Sequence, residues 1–112
     1  MITQVRPSEF DAWLQQQAPQ RPVLLDVREP WEVQVASVAP GECDAVAIPM
    51  NQVPARLAEL PQDRPIACLC HHGARSQRVA MFLEQQGYGE VANIAGGIDA
   101  WSRQRDPKVP VY

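Results

Sequence analysis

Apolar residues along the chain fall into two patterns, short unbroken runs and stretches spaced at helical intervals. Val23-Leu24-Leu25-Asp26-Val27 and Pro65-Ile66-Ala67-Cys68-Leu69-Cys70 are compact apolar runs bounded by prolines and polar residues. Runs of that length read as strands buried on both faces. Ile2 to Val5, Ala45-Val46-Ala47-Ile48 and Val91-Ala92-Asn93-Ile94 predict three more short strands.

Between them lie helical patterns. Phe10, Trp13 and Leu14 share one face of a first helix, with Ser8 as its N-cap and Asp11 three residues on. Pro30 at a first helical position starts a short helix through Trp31, Glu32 and Val35. Gln52 to Leu60 reads as a further helix, with Pro54 in its first turn and Pro61 as its end. After Ser76 comes an amphipathic helix whose apolar side is Val79, Met81, Phe82 and Leu83, stopped at Gly87. A last helix lies around Ile98 and Trp101, and residues 105–112 form an extended tail. Pro40-Gly41 marks a turn in the loop from Ala39 to Asp44.

Short strands alternating with helices predict an α/β fold: a five-stranded, mainly parallel sheet with helices on both faces. At 112 residues the chain reads as one domain, 1–112. In such folds ligands gather at the carboxyl ends of the strands. That rule points at the loop beginning with Cys70.

Composition narrows the function. A net charge of −3 with scattered basic residues argues against a nucleic-acid surface. The first residues carry no apolar leader, and no apolar stretch approaches the ~20 residues that cross a bilayer, so no membrane role and a cytoplasmic setting are expected. Three cysteines, Cys43, Cys68 and Cys70, are an odd number and read as reduced thiols, one of them with a chemical task.

Cys70 is the candidate. It stands where a buried strand yields to a loop feeding a helix, so its sulfur would face unpaired amides of the loop and the first helical turn. Gly73 allows a tight fold around the sulfur, and His71, His72 and Arg75 add hydrogen-bonding or positive groups. Such surroundings favour the thiolate, which is the nucleophile. The competing reading is a small buried residue that ends a strand.

Cys70-His71-His72-Gly73-Ala74-Arg75-Ser76 resembles the rhodanese signature C-x-x-G-x-R-S. Leu25-Asp26-Val27-Arg28 followed by Glu32 resembles the family's D-V-R…E motif. Asn93-Ile94-Ala95-Gly96-Gly97-Ile98-Asp99-Ala100-Trp101 resembles its N-x-x-G-G-x-x-x-W motif. Together they span Leu24 to Trp101 in the family's order. The resemblance implies a rhodanese-like fold and a sulfurtransferase: the Cys70 thiolate takes the outer sulfur of a donor such as thiosulfate. The persulfide, cradled by loop amides, passes to cyanide or a cellular thiol. The expected partners are a small-molecule sulfur donor and a thiol or protein acceptor, with no metal and no organic cofactor; oligomeric state stays open.

The loop is C-x4-R, whereas cysteine phosphatases resemble C-x5-R, a wider loop that wraps a phosphoryl group. Arg75 is expected either to bind an anionic donor or to pair with Asp26 or Glu32. His71 and His72 are expected at the pocket mouth, and Asp26, Arg28 and Glu32 are expected to brace the surrounding loops, the alternative being a surface ion-pair cluster. Cys68, Trp13, Trp31, Trp101, Gly96 and Gly97 are assigned to packing or turn geometry. Segment 36–44 departs from the family, where many relatives carry G-H-I, and this bears on the cleft rim. Two other functions stay open: a partner-dependent sulfur relay or binding module, and a metal or redox sensor built on Cys68, Cys70 and the histidines.

Overall fold

A computed structural model describes residues 2–112. Five strands, β1 (Thr3–Val5), β2 (Val23–Asp26), β3 (Asp44–Ala47), β4 (Ile66–Leu69) and β5 (Val91–Ile94), form one sheet in the order β1-β5-β4-β2-β3. Every pairing is parallel, so the sheet is wholly and not just mainly parallel. Four helices, α1 (Phe10–Gln17), α2 (Pro30–Val35), α3 (Ala74–Gln85) and α4 (Gly97–Gln104), connect or follow the strands.

Strand alternation sorts the apolar side chains into two cores. Leu24, Ala67, Leu69, Ala92 and Ile94 face α1 and α4, where Phe10, Trp13, Ile98 and Trp101 pack against them. Val23, Leu25, Ile66, Cys68 and Cys70 face α3, meeting Val79, Ala80 and Leu83. β4 occupies the middle of the sheet and is buried at all four positions, as an unbroken apolar run requires. Cys70 therefore leaves the carboxyl end of the central strand on the α3 side. No helix among the described residues is long and apolar enough to cross a membrane.

Several local expectations need correction. Segment 52–60 is not a continuous helix: short 3-10 turns at Met50–Gln52 and Leu57–Glu59 flank an irregular turn around Pro54. Proline lacks the amide that an α-helix interior needs. Ser8 does not cap α1. It lies in a 3-10 turn, Pro7–Glu9, where the Arg6 amide donates to Glu9 Oε1 (3.2 Å). Met81 is largely exposed; the buried face of α3 is Ser76, Val79, Ala80 and Leu83. Trp31, assigned to packing, is 60% exposed.

The tail is the largest correction. It is not a free extension but folds back over the molecule. Val109 is buried in the core beside α4, and Ser102 Oγ donates to its carbonyl (2.6 Å). That anchor fixes the direction of the last residues and delivers Tyr112 to the end of the sheet that carries Cys70.

Candidate active site

The loop from Cys70 to Gly73 turns the chain from β4 into α3. Gly73 makes this possible: its φ of +107° is left-handed, and it is the residue that precedes the first helical turn. The turn aims the Gly73 amide at Cys70 Sγ (3.0 Å), and Ser76, one turn into α3, brings its hydroxyl to 3.2 Å from the same sulfur. Cys70 itself is 1% exposed. The sulfur thus lies at the floor of a tight loop with two polar hydrogens beside it.

A second set of contacts holds the outside of the loop. The carbonyls of Cys70 and His71 accept from the amides of Ile98 (2.8 Å) and Asp99 (3.1 Å), in the first turn of α4. Those amides have no partner within the helix, so the loop satisfies them. The approach is closest at Gly97, where a Cβ would collide with the Cys70 and His71 carbonyls. This fits the packing and turn role expected for Gly97: its lack of a side chain is what lets α4 reach the loop.

Ser76 is fully buried and sits in a small polar network. Its hydroxyl has three acceptors within reach: Cys70 Sγ, the Gly73 carbonyl (3.2 Å) and Asn93 Oδ1 (2.5 Å). Asn93 Nδ2 donates to the Gly73 carbonyl (3.3 Å) and to Gln4 Oε1 (3.0 Å), which orients the amide oxygen towards Ser76. One hydroxyl carries one proton, so Ser76 gives it to one of the three at a time. With a thiol on Cys70 the hydroxyl can donate to Asn93 and accept from sulfur. An anionic sulfur draws the proton to itself. Asn93 had only motif membership in the sequence, and its contact with the loop arises from the β4–β5 pairing.

Arg75, Glu32, Arg28 and Asp26 form a linked set rather than a surface cluster. Arg75 grips Glu32 with both ends of its fork, Nη1 to Oε1 (2.7 Å) and Nη2 to Oε2 (2.9 Å). It does not pair with Asp26. That carboxylate belongs to Arg28, whose Nη2 and Nε reach it at 2.6 and 2.8 Å. Arg28 is 1% exposed and also donates to the Glu32 carbonyl (3.2 Å). Burial opposes its charge, and the Asp26 and Tyr112 bonds outweigh that, leaving its pKa raised. Glu32 also accepts from the Glu29 amide (3.0 Å), closing the first turn of α2.

Tyr112 completes the set and had no counterpart in the sequence reading. Its hydroxyl accepts from Arg28 Nη1 (3.1 Å) and donates to Glu32 Oε2 (2.8 Å). Burial pushes the phenol's pKa up, which keeps that proton in place. Its ring stacks on His71 at 4.0 Å and 5° between planes, and His71 in turn stacks on His72 at 3.9 Å. His71 is therefore half-buried within an aromatic stack rather than loose at the mouth, while His72 is exposed. Cys68 is 0% exposed and its thiol pKa is pushed up by burial, a core residue as expected.

The bonds from Arg75, followed by those from Glu29 and Tyr112, hold the Glu32 carboxyl at about 2, against an ordinary 4.5, despite its burial. The unfolded chain takes up this proton first on acidification, so the stabilisation is complete above pH 4.5 and drains away as pH falls towards 2. It amounts to roughly 2–3 kcal/mol after discounting the partly exposed Arg75. Glu32→Gln should therefore melt well below the wild type near neutral pH, and the gap should narrow as pH falls through that window. Thermal denaturation of both proteins across the range measures it; a gap independent of pH would refute the ion-pair account.

Known proteins resemble this chain in sequence and fold. The Rhodanese-like domain model matches residues 6–104. A protein named "Sulfurtransferase" from Allochromatium vinosum is 41% identical over 87 residues, covering 78% of each chain. A maize protein, "Adenylyltransferase and sulfurtransferase MOCS3-1", is 34% identical over 93 residues, 80% of this chain but 20% of that one. The crystal structure of a rhodanese-related protein from Thermoplasma volcanium superposes with a TM-score of 0.77 at 26% identity, covering 98% of this chain and 99% of the other.

Proposed function

This chain belongs to the rhodanese-like family of sulfurtransferases, and from that premise we propose that it moves sulfane sulfur through a persulfide on Cys70. The observation that carries the reading is the single sulfur held between the Gly73 amide and the Ser76 hydroxyl at the carboxyl end of the central strand. A loop this tight suits one added sulfur atom.

The reaction balances without a cofactor. The Cys70 thiolate attacks the outer sulfur of a donor such as thiosulfate. A new S–S bond forms, the donor's S–S bond breaks, and sulfite departs with the bonding pair. The persulfide's terminal sulfur is anionic, and the loop supplies preorganised donors near it. A thiophilic acceptor, cyanide or a cellular thiol, then attacks that terminal sulfur, and Cys70 leaves as thiolate.

Arg75 contributes charge rather than a free binding fork, because Glu32 occupies both ends of its guanidinium. A donor anion therefore meets the outward N–H groups of Arg75 and the mouth of the loop. The C-x4-R spacing keeps the pocket smaller than a phosphoryl group requires, which argues against phosphatase chemistry.

Intact-protein mass spectrometry after exposure to thiosulfate tests the proposal. Wild type should gain the mass of one sulfur atom and lose it on adding cyanide, with thiocyanate released. A protein that never takes up sulfur from thiosulfate or another persulfide donor would overturn it.

A second reading, a relay that exchanges sulfur with a partner protein, draws on one comparison. In the maize relative the similar segment is one-fifth of a chain whose name also carries an adenylyltransferase. A loaded Cys70 that releases sulfur slowly to cyanide and rapidly to a protein thiol would favour the relay.

A further inference from the structure

We propose that Tyr112 is a positioning residue of the sulfur site, holding the His71 imidazole in place to meet the anionic end of a donor bound over Cys70. The inference deepens the sulfur-transfer reading and rests on Cys70 as the reacting atom.

Three observations support it. First, Tyr112 is placed by the fold and not by chance proximity. The tail that carries it is tied to α4 through the buried Val109, the Ser102–Val109 hydrogen bond and the Asp106 amide's bond to the Trp101 carbonyl (3.0 Å).

Second, Tyr112 bridges two elements of the site. Its hydroxyl is locked between Arg28 and Glu32, while its ring lies flat on His71, the residue after Cys70. The hydroxyl fixes the ring, and the ring fixes the imidazole. With His72 on its other face, His71 cannot tumble without breaking a stack on either side.

Third, His71 Nε2 is buried and has no hydrogen-bond partner among the described residues. An unpaired buried nitrogen costs free energy unless something meets it. It stands one residue from the nucleophile, at a site whose Arg75 is already engaged by Glu32. An anionic oxygen of a bound donor, such as a sulfonate oxygen of thiosulfate, can accept from the imidazole. The stack presets the ring, so little rotational freedom is lost on binding.

Alkylation of Cys70 by iodoacetate and by iodoacetamide provides the test. One reagent is anionic and the other neutral, and both report on the same sulfur by peptide mass mapping. Tyr112→Leu should lower the iodoacetate-to-iodoacetamide rate ratio by about tenfold or more, the loss of one hydrogen bond to a charged group. Tyr112→Phe keeps the ring but loses the hydroxyl that locks it between Arg28 and Glu32, so its ratio should fall between those of wild type and Tyr112→Leu. His71→Ala should lower it as Tyr112→Leu does, and the double variant should fall no further. A purely structural Tyr112 would change both rates together and leave their ratio alone.

An unchanged ratio in Tyr112→Leu, or losses that add in the double variant, would overturn the proposal. If Tyr112→Leu fails to fold, His71→Ala decides alone, since an unchanged ratio there removes the contact being positioned. No sulfur is transferred in these measurements, so a failure of thiosulfate to load wild type would count against the proposed function and not against this assignment.

Discussion

Replacing Cys70 with serine should abolish sulfur loading while leaving the protein folded. Serine is nearly isosteric, and its hydroxyl can accept the Gly73 amide that now points at sulfur 3.0 Å away. It forms no stable thiolate and no persulfide, so uptake from thiosulfate should fall by at least ~1,000-fold, to the limit of detection. Cys68→Ala supplies the contrast. That thiol is wholly buried, and burial pushes its pKa up, so it should take no part in nucleophilic attack. Its loss should cost roughly 1 kcal/mol of stability through a small cavity and leave loading intact. Mass spectrometry of the three proteins after thiosulfate treatment separates them. Sulfur appearing on Cys43 or Cys68 in the Cys70→Ser protein would sink the assignment.

Gly97→Ala should be nearly as damaging to loading, although residue 97 never touches sulfur. Its φ of +62° is left-handed, and an added Cβ would strike the carbonyls of Cys70 and His71. These are backbone atoms and cannot swing aside as a side-chain tip would. Relief requires α4 and the loop to part, which stretches the Ile98 and Asp99 amide bonds to those same carbonyls. We expect a stability loss of roughly 2–4 kcal/mol and a drop in loading of about 100-fold in the molecules that remain folded. Gly87→Ala separates strain from collision. Its φ of +93° is equally left-handed, yet a Cβ there would meet nothing within 4 Å. It should lose about 1 kcal/mol and load sulfur at the wild-type rate. Thermal melts and single-turnover loading distinguish the pair, and a Gly97→Ala protein that loads normally would show that α4 does not hold the loop.

The two substitutions probe different links. Cys70 is the proposed reacting residue, and Gly97 is one reason the sulfur meets its amide. The Glu32 network belongs to the second kind. Its bidentate bond to Arg75 and its bond from Tyr112 join α2, α3 and the tail into one wall of the site. The C-terminal segment, extended and plain in sequence, thus becomes part of the wall of the candidate site.

What was legible in the sequence was local. The apolar runs at 23–27 and 65–70 marked β2 and β4, because a strand covered on both faces must be apolar at every position. The alternation of strands with helices implied a parallel sheet, and a cysteine at the end of its central run, followed by a glycine and a helix, made Cys70 the candidate nucleophile. The strand and sheet inferences hold because they depend on neighbours within a few residues. The same dependence explains the helix expected over 52–60: its polar and apolar spacing suited a helix, but Pro54 and the packing of Val53 and Leu60 favoured separate turns.

Partners far apart in the chain were decided by the tertiary structure alone. Arg75 had two acidic candidates, and only the packing of α2 beside the loop selected Glu32, 43 residues away. Tyr112 meets Glu32 across 80 residues and Asn93 meets Ser76 across 17, and neither contact leaves a period or spacing in the sequence. Trp31 shows the converse: a large aromatic side chain predicts burial, yet the short α2 lies at the rim and leaves it in solvent, edge-on to Tyr112. Adjacent residues alone thus implied the fold class and pointed to the Cys70 sulfur as the candidate reacting atom, since strand burial and loop chemistry are written in neighbouring positions. Which side chains surround that atom was settled by how the helices and the tail close over the sheet, because contacts between distant residues exist only once the chain has packed.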